Sequence, residues 1–153
     1  MMCKEQEGGI GLPIQNHQLI QADPFVLSKS EVLHAVKDYL RREGYETRSL
    51  GELCGIDLAA ANEYHTLVIE AQGNHAEHHE KEIVFTGSQL DTHFSRQLVK
   101  LLRNYEKNPG KTLVMANPDT PRLRKKAKNI KQALDDLGVV RFWVKDDGSI
   151  EWE

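Results

Sequence analysis

The stretch Gly55-Ile56-Asp57-Leu58, completed by Ile69-Glu70-Ala71-Gln72-Gly73, decides how this chain is read. Thr66-Leu67-Val68-Ile69-Glu70-Ala71 is apolar and β-branched, and with Ile56-Asp57-Leu58-Ala59-Ala60 it flanks the polar linker Ala61 to His65. That spacing predicts a β-hairpin. Strand side chains alternate, so Glu70 and Gln72 project from one face of one strand, and the hairpin can bring Asp57 beside them. Two carboxylates among Ile56, Leu58, Val68 and Ile69 need a cation or hydrogen bonds to balance them. Two hard oxygen ligands beside a water-bearing opening describe a Mg²⁺ site, because Mg²⁺ usually takes one or two carboxylates and keeps several waters.

Working outward, Ser28 opens a helical pattern with Val32, Leu33, Val36, Tyr39 and Leu40 on one stripe and Gly44 as its stop, which predicts a helix over about 29–43. Tyr45 to Leu50 reads as extended, and Ile83-Val84-Phe85 as a short strand or extended connection. Phe94, Leu98, Leu101, Leu102 and Tyr105 place a second helix over about 91–107, ended by Asn108-Pro109-Gly110. A strand follows at Thr112 to Ala116. Asp119-Thr120-Pro121 then starts a third helix, whose stripe Leu123, Ala127, Ile130, Leu134, Leu137 runs to Gly138. Val139 to Val144, Asp147-Gly148 and Ser149 to Trp152 close the chain as strand, turn and strand. Residues 1–27 show no period and read as an N-terminal extension to a domain spanning 28–153. The expected fold class is α/β, a central mixed β-sheet flanked by helices.

This order of elements around G-I-D and I-E-x-x-G resembles the PD-(D/E)XK nuclease superfamily, the restriction-endonuclease-like fold, over about residues 28 to 145. The resemblance implies that Asp57 and Glu70 ligate Mg²⁺ or Mn²⁺, that the Ala71 carbonyl is a further metal ligand, and that position 72 orients or activates the attacking water. It also matches Glu31 to an acidic residue that some members carry on the first helix, as metal support. The family's usual Lys is replaced here by Gln72, which can hold a water but is neutral. Lys100 on the second helix is a candidate displaced lysine. Against the metal role of Glu31 stands Ser28-Lys29-Ser30-Glu31, which fits a capping box and is the preferred reading.

The rest of the composition bounds the function. A chain of 153 residues and 17.4 kDa suits one domain with a core of its own. Its net charge of −3 removes a global basic excess as an argument for nucleic-acid binding. Local basic faces exist on the second helix (Arg96, Lys100, Arg103, Lys107) and on the third, where Arg122, Arg124, Lys125 and Lys128 are the candidate contacts to a DNA backbone. As a bland alternative, such runs form the solvated face of a helix. Cys3 and Cys54 make no disulfide framework or zinc pair, which with the lack of a membrane-spanning run points to the cytoplasm. His75, His78 and His79 lie in a polar segment without HExxH spacing, read as a solvated loop, with a small metal-binding protein as the weakest reading. Trp143, Phe142 and Trp152 read as core or edge packing. Three functions follow in order: a metal-dependent deoxyribonuclease, for which a homodimer would suit the cutting of two strands; a catalytically silent nucleic-acid or protein-binding module of the same fold; and the metal-binding protein.

Overall fold

The structure, a computed structural model, describes residues 12–51 and 55–153. Cys3, Cys54 and residues 8–11 of the glycine-rich start lie outside them. In chain order the elements are β1 (Ile14–Gln15), α1 (Lys29–Arg42), β2 (Glu46–Ser49), β3 (Leu58–Ala61), β4 (Thr66–Ala71), β5 (Ile83–Val84), α2 (Gly87–Lys107), β6 (Thr112–Pro118), α3 (Pro121–Asn129), α4 (Lys131–Asp136), β7 (Val140–Val144) and β8 (Ile150–Trp152). Six strands form one mixed sheet in the order β2-β3-β4-β6-β7-β8, with β4, β6 and β7 parallel and the remaining pairings antiparallel. The fold is α/β, with helices on both faces of the sheet.

Each face is covered because β4 alternates. Leu67, Ile69 and Ala71 turn toward α1, joining Val32, Val36, Leu40, Val114 and Phe142 in one core. Val68 turns the other way, with Leu113, Met115 and Trp143, against Leu90, Phe94 and Leu101 of α2 and Leu123 and Leu134 of α3 and α4. Helix α1 begins at the expected capping box: the Glu31 N–H donates to Ser28 Oγ, and the Ser28 N–H to Glu31 Oε1. It stops before Gly44, whose φ of +87° suits glycine.

Two helix boundaries differ from expectation. Helix α2 starts at Gly87, not near 91, because Thr86 and Gln89 form a second capping box of the same pattern. The third helix is two: Ile130 leaves helical geometry, with φ −125° and ψ 25°, so Leu134 stays buried while Leu137 at the end of the expected stripe is exposed. The described part of the extension packs on the domain. Ile14 and Gln15 pair with β5, and Asp23 and Leu27 are buried.

Gly73, just past β4, presses on the entry to α1. A Cβ there would meet Leu27 O at 2.3 Å, Ser28 C at 2.6 Å and Lys29 N at 2.7 Å, all backbone atoms. Asn74 fastens the same contact. Its N–H donates to Leu27 O, its Oδ1 accepts from the Leu27 N–H, and its Nδ2 donates to Asp23 Oδ2 and Phe25 O. His75, next in the chain, is buried, which corrects its expected place in a solvated loop, whereas residues 77–81, with His78 and His79, are exposed as expected. Gly73→Ala should cost about 2–3 kcal/mol of stability, as overpacking against rigid backbone does. Gly110→Ala, where a Cβ meets nothing within 4 Å, is the control. Urea unfolding of the two variants checks this, and equal midpoints would refute the contact's importance.

Candidate active site

The antiparallel register pairs Leu58 with Ile69, and one step further along it sets Asp57 opposite Glu70. The Asp57 N–H donates to Glu70 Oε2 at 2.6 Å, and the Ala71 N–H donates to Asp57 Oδ2 at 3.0 Å. Asp57, Glu70 and Ala71 therefore meet at one point, at the carboxyl end of a parallel strand. Glu70 lies on the α2 side of the sheet and is 2% exposed.

Two ammonium groups answer the two carboxylates. Lys29, from the first turn of α1, lies 2.9 Å from Asp57 Oδ1, and Lys100, from α2, lies 3.6 Å from Glu70 Oε1. Lys29 had no sequence signal, since its approach depends on Gly73 seating the start of α1 beside β4. Gln97, one turn before Lys100, was also missed. Its buried Nε2 donates to the backbone oxygens of Glu70 and Ala116, and it exchanges hydrogen bonds with Asn117. The amide fixes α2 on the carboxyl ends of the central strands β4 and β6 so that Lys100, three residues on and on the same helix face, lies near Glu70.

The other candidates are placed differently. Gln72 is half-buried beyond the end of β4, and its Oε1 accepts from the Gly73 N–H at 3.2 Å. No hydrogen bond joins it to either carboxylate among the described residues. Glu31 serves the α1 cap and pairs with Lys81, so its carboxylate is engaged away from the pair. Arg122 is not free for phosphate: it grips Asp23 through two nitrogens, at 2.8 and 2.6 Å, and donates to Phe85 O. Arg124 binds Asp119, Glu151 and Glu153 and stacks over Trp143. Lys125 and Lys128 are exposed. Trp143 and Phe142 are core residues, whereas Trp152 is exposed on the edge strand.

Burial, then the charge of Asp57, raise the Glu70 pKa to about 7; Lys100, the Asp57 N–H and Lys29 oppose the rise. A desolvated carboxylate beside a second one favours a bound cation, and an oxygen-only donor set is that of a hard ion. Among the described residues no three or more His, Cys, Asp or Glu side chains converge, so the side chains that could hold such an ion here are Asp57 and Glu70. Two carboxylates would suffice to hold Mg²⁺, which usually keeps several waters.

No protein-family model matches the chain, and no curated protein does. Among solved structures, it is similar to an XisH family protein from Nostoc punctiforme, with 15% identity and a TM-score of 0.46, covering 80% of this chain and 98% of that one. Among the described residues no helix is long and apolar enough to cross a membrane.

The raised pKa has a consequence for stability. Between the ordinary value of 4.5 and about 7 the native state keeps the Glu70 proton that the unfolded chain loses. Glu70's contribution is thus full below pH 4.5, declines as pH rises to about 7, and is flat above. Without divalent cations, the stability difference between wild type and Glu70→Gln should fall across that window. Denaturant titrations from pH 4 to 8 measure it, and a difference independent of pH would refute the shift.

Proposed function

We propose that this protein is a divalent-metal-dependent nuclease of the restriction-endonuclease-like kind, hydrolysing DNA phosphodiester bonds with Mg²⁺ or Mn²⁺ held by Asp57, Glu70 and the Ala71 carbonyl. The observation that carries this reading is the meeting of Asp57 and Glu70 at a strand end, between the ammonium groups of Lys29 and Lys100. When bound, the ion polarises the scissile phosphate and lowers the pKa of a bound water. Lys100 supplies the positive charge that Gln72 lacks, facing the negative charge that grows on the phosphate oxygens. The Gln72 amide nitrogen, the half of its carboxamide not turned to Gly73, orients the water. Lys125 and Lys128, exposed on α3, provide the contacts to the DNA backbone, while Arg122 and Arg124 hold the fold.

A second reading, a silent member that binds DNA or a protein, is favoured by one observation: position 72 carries no charge and its carbonyl oxygen is spent on its own neighbour. One experiment separates the two. Single-stranded, duplex, nicked and branched DNA are incubated in Mg²⁺ or Mn²⁺ with wild type, Glu70→Ala, Lys100→Ala and Gln72→Ala, each verified as folded by circular dichroism. The nuclease reading expects products from wild type and a loss of at least about 100-fold in Glu70→Ala and Lys100→Ala. Equal cleavage by Glu70→Ala would remove the site. No cleavage by wild type, with salt-dependent DNA binding retained, would establish the binding module instead.

A further inference from the structure

A second polar constellation lies away from the carboxylate pair, on the flank formed by α3, α4, β7 and β8. There a cavity of about 260 Å³ is lined by Arg124, Lys128, Lys131, Arg141, Trp143 and Glu153. Three donors converge on one carboxylate in it. Glu153 Oε2 accepts from Trp143 Nε1 at 2.9 Å and from Arg124 Nη1 at 3.0 Å, and Glu153 Oε1 lies 3.5 Å from Arg141 Nη2. The donors are fixed in advance. Arg141 is buried, with Nη1 on Val139 O and Asp135 Oδ1, and Arg124 is held against the Trp143 ring by Asp119 and Glu151. Lys131 pairs with Asp135, and Lys128 has no ion-pair partner among the described residues.

A rigid fork of guanidinium nitrogens and an indole N–H, with ammonium groups at the rim, is the donor set for a tetrahedral oxyanion. Asp119 and Glu151 take Nε and Nη2 of Arg124 and Asp135 takes Nη1 of Arg141, while Arg124 Nη1, Arg141 Nη2 and Trp143 Nε1 are turned to Glu153. Glu153 is tied to the sheet by its backbone, which pairs with Arg141 in both directions, so its side chain can leave without loosening β8. We propose that this cavity is a binding site for a phosphate monoester dianion, and that the Glu153 carboxylate occupies it as a built-in competitor. The site stands apart from the carboxylate pair, and Lys128 is the one residue it shares with the DNA contacts proposed above. A terminal phosphate on a nucleic acid and free inorganic phosphate share the chemistry, and the cavity exceeds what one phosphate group fills.

The test follows the indole N–H of Trp143 by ¹H–¹⁵N correlation spectroscopy, its signal assigned against that of Trp152 with Trp152→Phe. The full chain is titrated with inorganic phosphate, with a 5′-phosphorylated oligonucleotide and with the same oligonucleotide unphosphorylated, at constant ionic strength. A saturable shift of the Trp143 signal is expected. It should tighten about tenfold in Glu153→Gln, which removes the competing charge, and weaken about tenfold in Lys128→Ala/Lys131→Ala. Tighter binding of the phosphorylated than of the unphosphorylated oligonucleotide assigns the nucleic-acid end as the source; binding of inorganic phosphate alone assigns the free anion. Either supports the site. No saturable shift in wild type and Glu153→Gln, or the same shift with chloride, would overturn it.

Discussion

A carboxylate inside a sheet has to be answered by donors, and for Glu70 these come from three separate elements. The Asp57 backbone approaches from the hairpin, Lys100 from α2, and Lys29 acts through Asp57 from α1. Coulombic attraction at a few ångströms is strong where water is displaced, so losing any of these elements leaves a charge uncompensated. Two carboxylates with opposing lysines are close to neutral as a group, yet burial and the charge of Asp57 leave Glu70 with an affinity for a proton up to about pH 7.

The positions of those elements rest on a second constraint, the contact between Gly73 and the start of α1. No side chain fits between them, so β4 and α1 meet backbone to backbone, and Asn74 uses its whole amide to hold the junction. Asp23 extends it to α3 through Arg122. A basic residue that looks available for DNA is in this way consumed by a buried carboxylate nearly a hundred positions earlier. Arg124 is consumed likewise by Asp119, Glu151 and Glu153, and the basic face of α3 that remains exposed is narrower than the sequence suggests.

Local patterns carried most of the architecture. The stripe from Val32 to Leu40, the capping box at Ser28 and the β-branched run at Val68 each act within a few residues, so their elements lie close to where expected. The same kind of signal stands at Thr86 and Gln89, where a capping box adds a first turn to α2 ahead of its apolar stripe. That Asp57 can lie beside Glu70 was legible because a hairpin's register is a local property. Lys29 and Gln97 were not, because nothing near them says which strand end their helices will meet.

Hydrophobic period, caps and turns therefore determined, from the sequence alone, that this is an α/β chain with a hairpin bearing two facing carboxylates. Tertiary structure decided which cations reach them and which are spent elsewhere. It buried His75, broke the third helix at Ile130, and drew residues 12–27 onto the domain. The reason is one of range. Backbone propensity and side-chain alternation act over a turn or a strand, whereas an ion pair such as Lys100 with Glu70 or Arg122 with Asp23 depends on how whole elements pack, which no short window of residues encodes.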